Sequence, residues 1–159
     1  MADPADQHAA MLGHVSVAWN DVHWMLYRIF DVLSSMPTDQ SKAAFFAIKA
    51  DSTQRDIIQA LAKVSLRPHP ELLTQFTELM KRISRVAGDR NAATHTMWAT
   101  HYPSRMVTPN PWVPRHGALA DDYETQFTKM TEDLRNIFRE LIPLYDRLLK
   151  LFPSPEKGP

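Results

Sequence analysis

Arg90, Asn91 and His95 lie within one short stretch of the chain, Arg90-Asn91-Ala92-Ala93-Thr94-His95. A guanidinium holds a permanent charge and a fork of donors, an amide both donates and accepts, and an imidazole changes protonation near neutral pH. On a helix, Asn91 and His95 fall one turn apart on one line, and the long side chain of Arg90 reaches the same space from the adjacent position. One helix therefore presents a cation, an amide and an imidazole together.

Arg90 also interrupts a pattern. Leu72, Phe76, Leu79, Ile83 and Val86 alternate by four and three, and the same rhythm continues to positions 90, 93 and 97, which are Arg90, Ala93 and Met97. A guanidinium is costly to bury unpaired, so an arginine in an apolar seam needs an anion, a carboxylate of a neighbouring helix, or an opening to solvent. Bulky side chains give way at this point to Gly88, Ala92 and Ala93, small enough for close helix approach or for a cleft. A second line, Ser84, Gly88, Asn91, His95, Trp98 and Tyr102, is polar, small and aromatic.

The elements that position these residues follow from periodicity. Met11, Val15, Ala18, Val22, Met25, Ile29, Leu33 and Met36 mark a first helix, widened by Trp19, Leu26 and Phe30 and closed by Pro37. A short element spans about 38–50, and Asp51 or Ser52 can cap a third helix carrying Ile57, Ile58, Leu61 and Val64. The fourth, bearing the motif, is expected over about 70–101. Residues 102–117 hold four prolines and read as a loop or a short irregular ribbon. The last helix keeps a heptad seam from Tyr123 through Phe127, Met130, Leu134, Ile137, Leu141, Leu144 and Leu148 to Leu151, with Pro143 off the seam. The expected fold is all-α, an up-and-down bundle of four to five helices with a Pro-rich loop before the last. A single domain is expected over 11–152, between flexible segments at 1–10 and 153–159.

Composition sets the outer bounds. The 159 residues contain no cysteine, which excludes disulfides, thiolate metal sites and cysteine nucleophiles and fits a reducing cytoplasm. Neither a signal peptide nor a membrane span is expected, because the longest purely apolar run is Ala43 to Ile48. Formal net charge is +0, yet Met80 to His116 holds Lys81, Arg82, Arg85, Arg90, Arg105 and Arg115 against Asp89 alone. That segment is therefore strongly basic, and the remainder is acidic by the same amount. Such a division excludes nonspecific coating of nucleic acid and leaves room for a focused basic cleft.

Other chemistries find little support. No His-Glu-x-x-His pair occurs, and His95 and His101 do not share a helical face, so no metal site is expected. Neither a Gly-x-Ser-x-Gly turn nor a Walker-type phosphate loop is present. His8, His14, His23 and His69 read as surface or locally bonded residues, and Trp19, Trp24, Phe45 and Phe46 as core.

The run from Gly88 to Trp98 resembles the signature of HEPN domains, all-α bundles that carry Arg, a polar residue and a His four to six positions beyond the Arg on one helix. Here the spacing is Arg-x4-His with Asn91 in the polar slot, and Thr96 stands where many relatives have Gly. The ordering of a long first helix with a Trp-Asn-Asp run at Trp19 to Asp21, the motif, and a last long helix extends the likeness over about 15–152.

The resemblance implies a metal-independent endoribonuclease without cofactor, acting as a homodimer whose motif helices face one cleft. Arg90, Asn91 and His95 would be its catalytic residues. Arg82, Arg85, Arg105 and His101 would be accessory RNA contacts. An antitoxin or small nucleotidyltransferase is a possible partner in that family. The competing expectation is a non-catalytic helical homodimer, or a toxin-antitoxin partner, in which Arg90 and His95 fill a polar interface.

Overall fold

The computed structural model describes residues 3–114 and 119–153. It is mostly helical, with 76% of the described residues in helices. Among the described residues there are five helices and a two-stranded ribbon: α1 (Pro4–Ser34), α2 (Thr38–Ala47), α3 (Asp51–Ser65), α4 (Pro70–His95), β1 (Trp98–Thr100), β2 (Val107–Pro109) and α5 (Tyr123–Leu151). None of the helices is long and apolar enough to cross a membrane, among the described residues.

The long seams behave as their spacing demands. On α5, Phe127, Met130, Leu134, Ile137, Leu141, Leu144 and Leu148 are all buried, while Pro143 is exposed inside the helix. On α1, Val15, Ala18, Val22, Ile29 and Leu33 are buried, and on α4 Leu72, Phe76, Leu79, Ile83 and Val86 are buried. A stripe of this kind is what lets a helix of ordinary propensity persist, because burial of its apolar face outweighs the entropy of ordering the chain.

Several boundaries differ from the sequence reading. α1 begins at Pro4, before the expected start at Met11, and carries His8 into a buried position. The reason is an aromatic cluster around His8 that gives those first turns something to pack against. α1 ends at Ser34, followed by Ser35 in the left-handed region at φ 54°, the conformation that commonly stops a helix. α3 starts at Asp51 with Ala50 in the cap position and no side-chain cap. Asp51 lies instead in the first turn, 3.3 Å from the Arg55 guanidinium. α5 has a side-chain cap that periodicity did not reveal: Asp122 accepts the Thr125 N–H at 3.1 Å. Hydrogen bonds from the Thr125 side chain, and then from its N–H, hold the Asp122 carboxyl below its ordinary range.

α4 ends at His95 rather than near His101, and Trp98 to Thr100 leaves it as a strand. β1 pairs antiparallel with β2 in the register Trp98 to Pro109, Ala99 to Thr108 and Thr100 to Val107. Part of the segment expected as a Pro-rich loop or short irregular ribbon is thus a two-stranded ribbon, a small addition to a structure otherwise consistent with the expected all-α bundle. Its turn, 101–106, contains a cis Tyr102–Pro103 bond and Arg105 at φ 57°.

Contacts divide the chain into two compact units, Met1–Asn20 with Arg85–Arg135, and Asp21–Ser84 with Asn136–Pro159. The first has a core of Val15, Ala18, Trp19, Val86, Ala92, Ala93, Val107, Phe127, Met130 and Leu134. The second is built on Leu26, Tyr27, Phe30, Phe45, Ile58, Phe76, Met80, Ile137, Leu141 and Leu144. Within it, the Gln54 amide donates to the carbonyls of Phe45 and Ile48, each at 3.0 Å, and its Oε1 lies 2.6 Å from the His23 ring nitrogen. That amide joins the end of α2 to the start of α3. Trp24 and Phe46, expected in the core, are exposed and pack at a tilt on Tyr27.

Gly88 lies inside α4 with open space where a Cβ would stand, so it serves no close approach within the chain. Gly88→Ala is expected to stabilise the protein by about 1 kcal/mol, because alanine loses less backbone entropy in a helix interior. Thermal or urea unfolding of the variant measures this, and an unchanged or lowered midpoint would contradict it.

Candidate functional site

The candidate site lies within the first unit, on the last turns of α4. Val86 and Ala93 are buried on the seam to either side of Arg90, and Arg90 itself is half-buried. Its guanidinium carbon stands 5.6 Å from the centroid of the buried Trp19 ring of α1. Nη1 donates to the Asn91 side-chain oxygen at 3.0 Å. Nε is buried without a hydrogen-bond partner. Among the described residues no carboxylate pairs with Arg90, so the expected alternative of an inter-helix ion pair is not realised.

Trp19 explains how the seam tolerates a charge. An indole face carries a negative quadrupole and attracts a cation, by about 1–2 kcal/mol when partly desolvated. That attraction is smaller than the cost of withdrawing a guanidinium from water. Arg90 is therefore positioned by Trp19 and Asn91 but still holds hydrogen-bonding capacity and a full positive charge. An oxyanion is the ligand that would answer both.

The outgoing chain shapes the end of the helix. The Thr96 hydroxyl and N–H both donate to the Ala92 carbonyl. The Trp98 indole N–H donates to the Ala93 carbonyl at 3.1 Å. Two of the last-turn carbonyls that a helix leaves without partners are thus satisfied from residues just past its end. Asn91 is half-buried beside Arg90, and His95, the last residue of α4, is exposed one turn further along the same line. Ser84, Gly88, Asn91 and His95 do form one line on α4, but Trp98 and Tyr102 have left the helix. Ala92 and Ala93 are packed in the core rather than lining a cleft.

The accessory residues are dispersed. Arg82 belongs to the second unit, where it pairs with Glu140 at 2.8 Å. Arg105 is exposed and meets the Asp3 carboxylate at 2.5 Å, and Arg85 is exposed on α4. The His101 ring bonds the Thr108 hydroxyl at 2.7 Å across the ribbon. Arg115, His116 and the tail 154–159 lie outside the described residues. The basic segment is therefore partly answered by carboxylates that are distant in sequence. Among the described residues, no group of three His, Asp or Glu side chains could hold a metal ion. A cavity of about 480 Å³ lined by His69, Leu72, Arg147 and Leu151 belongs to the second unit and contains none of the motif residues.

His8, expected as a surface or locally bonded residue, is only 6% exposed. Its ring lies 4.3 Å from Trp98, 5.6 Å from Tyr123 and 5.8 Å from Phe127, centroid to centroid. Neither ring nitrogen has a hydrogen-bond partner. The Tyr123 hydroxyl donates to the Val107 carbonyl and so fastens the ribbon to α5 in the same cluster. Its own pKa is raised by burial and then by the Glu124 charge. The signal for His8 was available in part: it stands a helical turn before Leu12 and Val15 and continues their face. What periodicity could not supply was the aromatic partner set.

No family model matches the chain, and neither a curated protein nor a solved structure matches it.

Burial pushes the His8 imidazole below its ordinary value of 6.5, opposed to a smaller degree by the charge of Glu124. With the folded value depressed, the unfolded chain binds the proton first as pH falls, so stability is complete above 6.5 and declines below it. Thermal midpoints are expected to hold level above about pH 7 and to fall toward about pH 5. His8→Phe should flatten that decline, and an equal slope in the variant would remove His8 as its source.

Proposed function

We propose that the chain is a metal-independent endoribonuclease that cleaves RNA by attack of a 2′-hydroxyl on the adjacent phosphodiester. The observation that carries this reading is Arg90, a half-buried arginine held by Trp19 and Asn91, with a buried unpartnered Nε and no carboxylate among the described residues. His95 on the same helix end supplies a proton-transfer group open to a large substrate.

The reaction needs no water and no metal in its first step. The 2′-hydroxyl loses a proton and its oxygen bonds to phosphorus. The bond from phosphorus to the 5′-oxygen breaks, and that oxygen takes up a proton. The products are a 2′,3′-cyclic phosphate and a 5′-hydroxyl. Arg90 would neutralise the charge that grows on the non-bridging oxygens, with Asn91 fixing the guanidinium and contacting the phosphate. His95 would carry one proton transfer. Because one chain offers one motif histidine while the reaction has two transfers, a homodimer with two His95 side chains at one cleft completes the set. The line of exposed Gly88, half-buried Asn91 and exposed His95 suits such a two-fold contact. These features agree with the HEPN resemblance, which this reading extends to the residues of this chain.

In EDTA, the wild-type protein is expected to generate 2′,3′-cyclic phosphate ends on single-stranded RNA. His95→Ala should lower the rate by at least about 10²-fold, and Arg90→Lys, which keeps charge but loses the planar fork, by about 10²- to 10³-fold. Circular dichroism should show unchanged helicity in His95→Ala. Wild-type protein that never yields cyclic phosphate ends on any RNA would sink the enzyme reading. In that case Arg90, Asn91 and Trp19 would be a structural clamp, read out as loss of stability in Arg90→Lys.

A further inference from the structure

The ribbon beyond the motif helix is not accounted for by catalysis. Its inner face is committed: Trp98 packs on His8, and Val107 is buried beneath the Tyr123 hydroxyl. Its turn and the segment just beyond its base project large side chains into solvent. Tyr102 at the tip is 95% exposed, and Trp112, just beyond the base, is 91% exposed. Met106 in the turn is also exposed. Aromatic rings presented this fully lose apolar hydration only when a partner covers them.

The backbone that displays them is fixed. His101 N–H donates to the Met106 carbonyl at 2.8 Å, and Arg105 N–H to the His101 carbonyl at 2.7 Å. At the base, Asn110 N–H donates to the Met97 carbonyl at 2.8 Å, and Trp112 N–H to the Asn110 side-chain oxygen at 2.9 Å. Because Met97 lies two residues past His95, Trp112 is held near the end of the motif helix and Tyr102 at the far end of the ribbon. Strand rise places those two ends about 13 Å apart, a span of several nucleotides.

Composition decides between possible occupants. From Arg90 to Ala120 the sequence contains no Asp or Glu, while it holds Arg90 and Arg105, the latter paired with Asp3 from the start of the chain, and the histidines His95 and His101. From Met97 to Pro114 it contains no Leu, Ile or Phe. The exposed apolar surface is thus mostly aromatic, proline and methionine, with Val113 as its aliphatic member, in a stretch with no carboxylate of its own, unlike the aliphatic face that a helix partner would need. Pro109 removes a donor from β2 and disfavours strand addition. Rings interleaved with cations and hydrogen-bonding side chains, His101 and Thr108 on the outer face, match unpaired bases and their phosphates.

We propose that the β1–β2 ribbon and the segment through Trp112 form a stacking platform for single-stranded RNA, with Trp112 and Tyr102 each receiving a base and leading the strand to the end of α4. The delivery role rests on the endoribonuclease reading; the binding does not.

The test uses full-length His95→Ala protein, so that the RNA stays intact, with a fluorescein-labelled single-stranded oligouridine and a duplex RNA of equal length. Adding Tyr102→Ala or Trp112→Ala should weaken single-strand binding about tenfold each, and Trp112→Phe should retain most of it. Duplex affinity should be unchanged. Sedimentation velocity of the same variants should match the parent protein. Single-strand affinity unaltered by both alanine substitutions, or no single-strand binding at all, overturns the platform. Loss of an oligomer on Trp112→Ala also overturns it, assigning the surface to a second copy of the chain. The two readings separate cleanly. Binding that depends on Tyr102 and Trp112 without cyclic phosphate products from the wild type keeps the platform and removes the nuclease. Cleavage with KM and affinity indifferent to both rings does the reverse.

Discussion

A guanidinium cannot discard its charge, and that constraint organises the motif end of this protein. Arg90 occupies a seam position between Val86 and Ala93, both buried. An apolar residue there would let the seam run on as it does on α5. Instead the surroundings must offer the charge something to face. Trp19 does so with a ring rather than a carboxylate, so the local charge is held but not cancelled. The distinction matters chemically. A carboxylate partner would have produced a satisfied ion pair with little reason to bind anything else.

The seams were legible because helical packing is periodic and the period survives in the sequence. Phe127 to Leu148, and Val15, Ala18, Val22, Ile29 and Leu33, are buried where spacing placed them, while Met25 is half-buried and the seam ends Met36 and Leu151 are exposed. Arg90 was legible for the same reason, as a residue of the wrong type in a regular row. What holds it was not, because Trp19 lies on another helix and no spacing rule links the two. The end of α4 was misplaced on similar grounds. Residues 96–101 contain nothing that forbids a helix, and the bonds that close it, from Thr96 and Trp98 to the Ala92 and Ala93 carbonyls, together with the pairing to β2, follow no spacing rule. His8 shows the opposite failure: an isolated polar residue reads as surface or locally bonded, and three aromatic rings from later in the chain enclose it.

Charge counting along the sequence overstated one feature and concealed another. The basic surplus between Met80 and His116 suggested a single strong field. Folding sets Arg82 against Glu140 and Arg105 against Asp3. Exposed pairs of this kind contribute little to stability, yet they shorten the reach of the field. What the count did not display is that the uninterrupted absence of carboxylates begins at Arg90 itself. Local electrostatics around the motif therefore depends less on how many cations are nearby than on which anions are missing.

The indole of Trp98 is shared between two jobs, packing on His8 and closing the carbonyl of Ala93. Helix ends normally fray independently of the rest of a protein, within the lowest free energies of local opening. Here the final turn of α4 cannot loosen without disturbing the ribbon and the first turns of α1. In amide hydrogen exchange these three segments would behave as one cooperative unit, with His95 at its rim. The last residue of a helix thereby acquires the rigidity of a core element while keeping the exposure of a terminus.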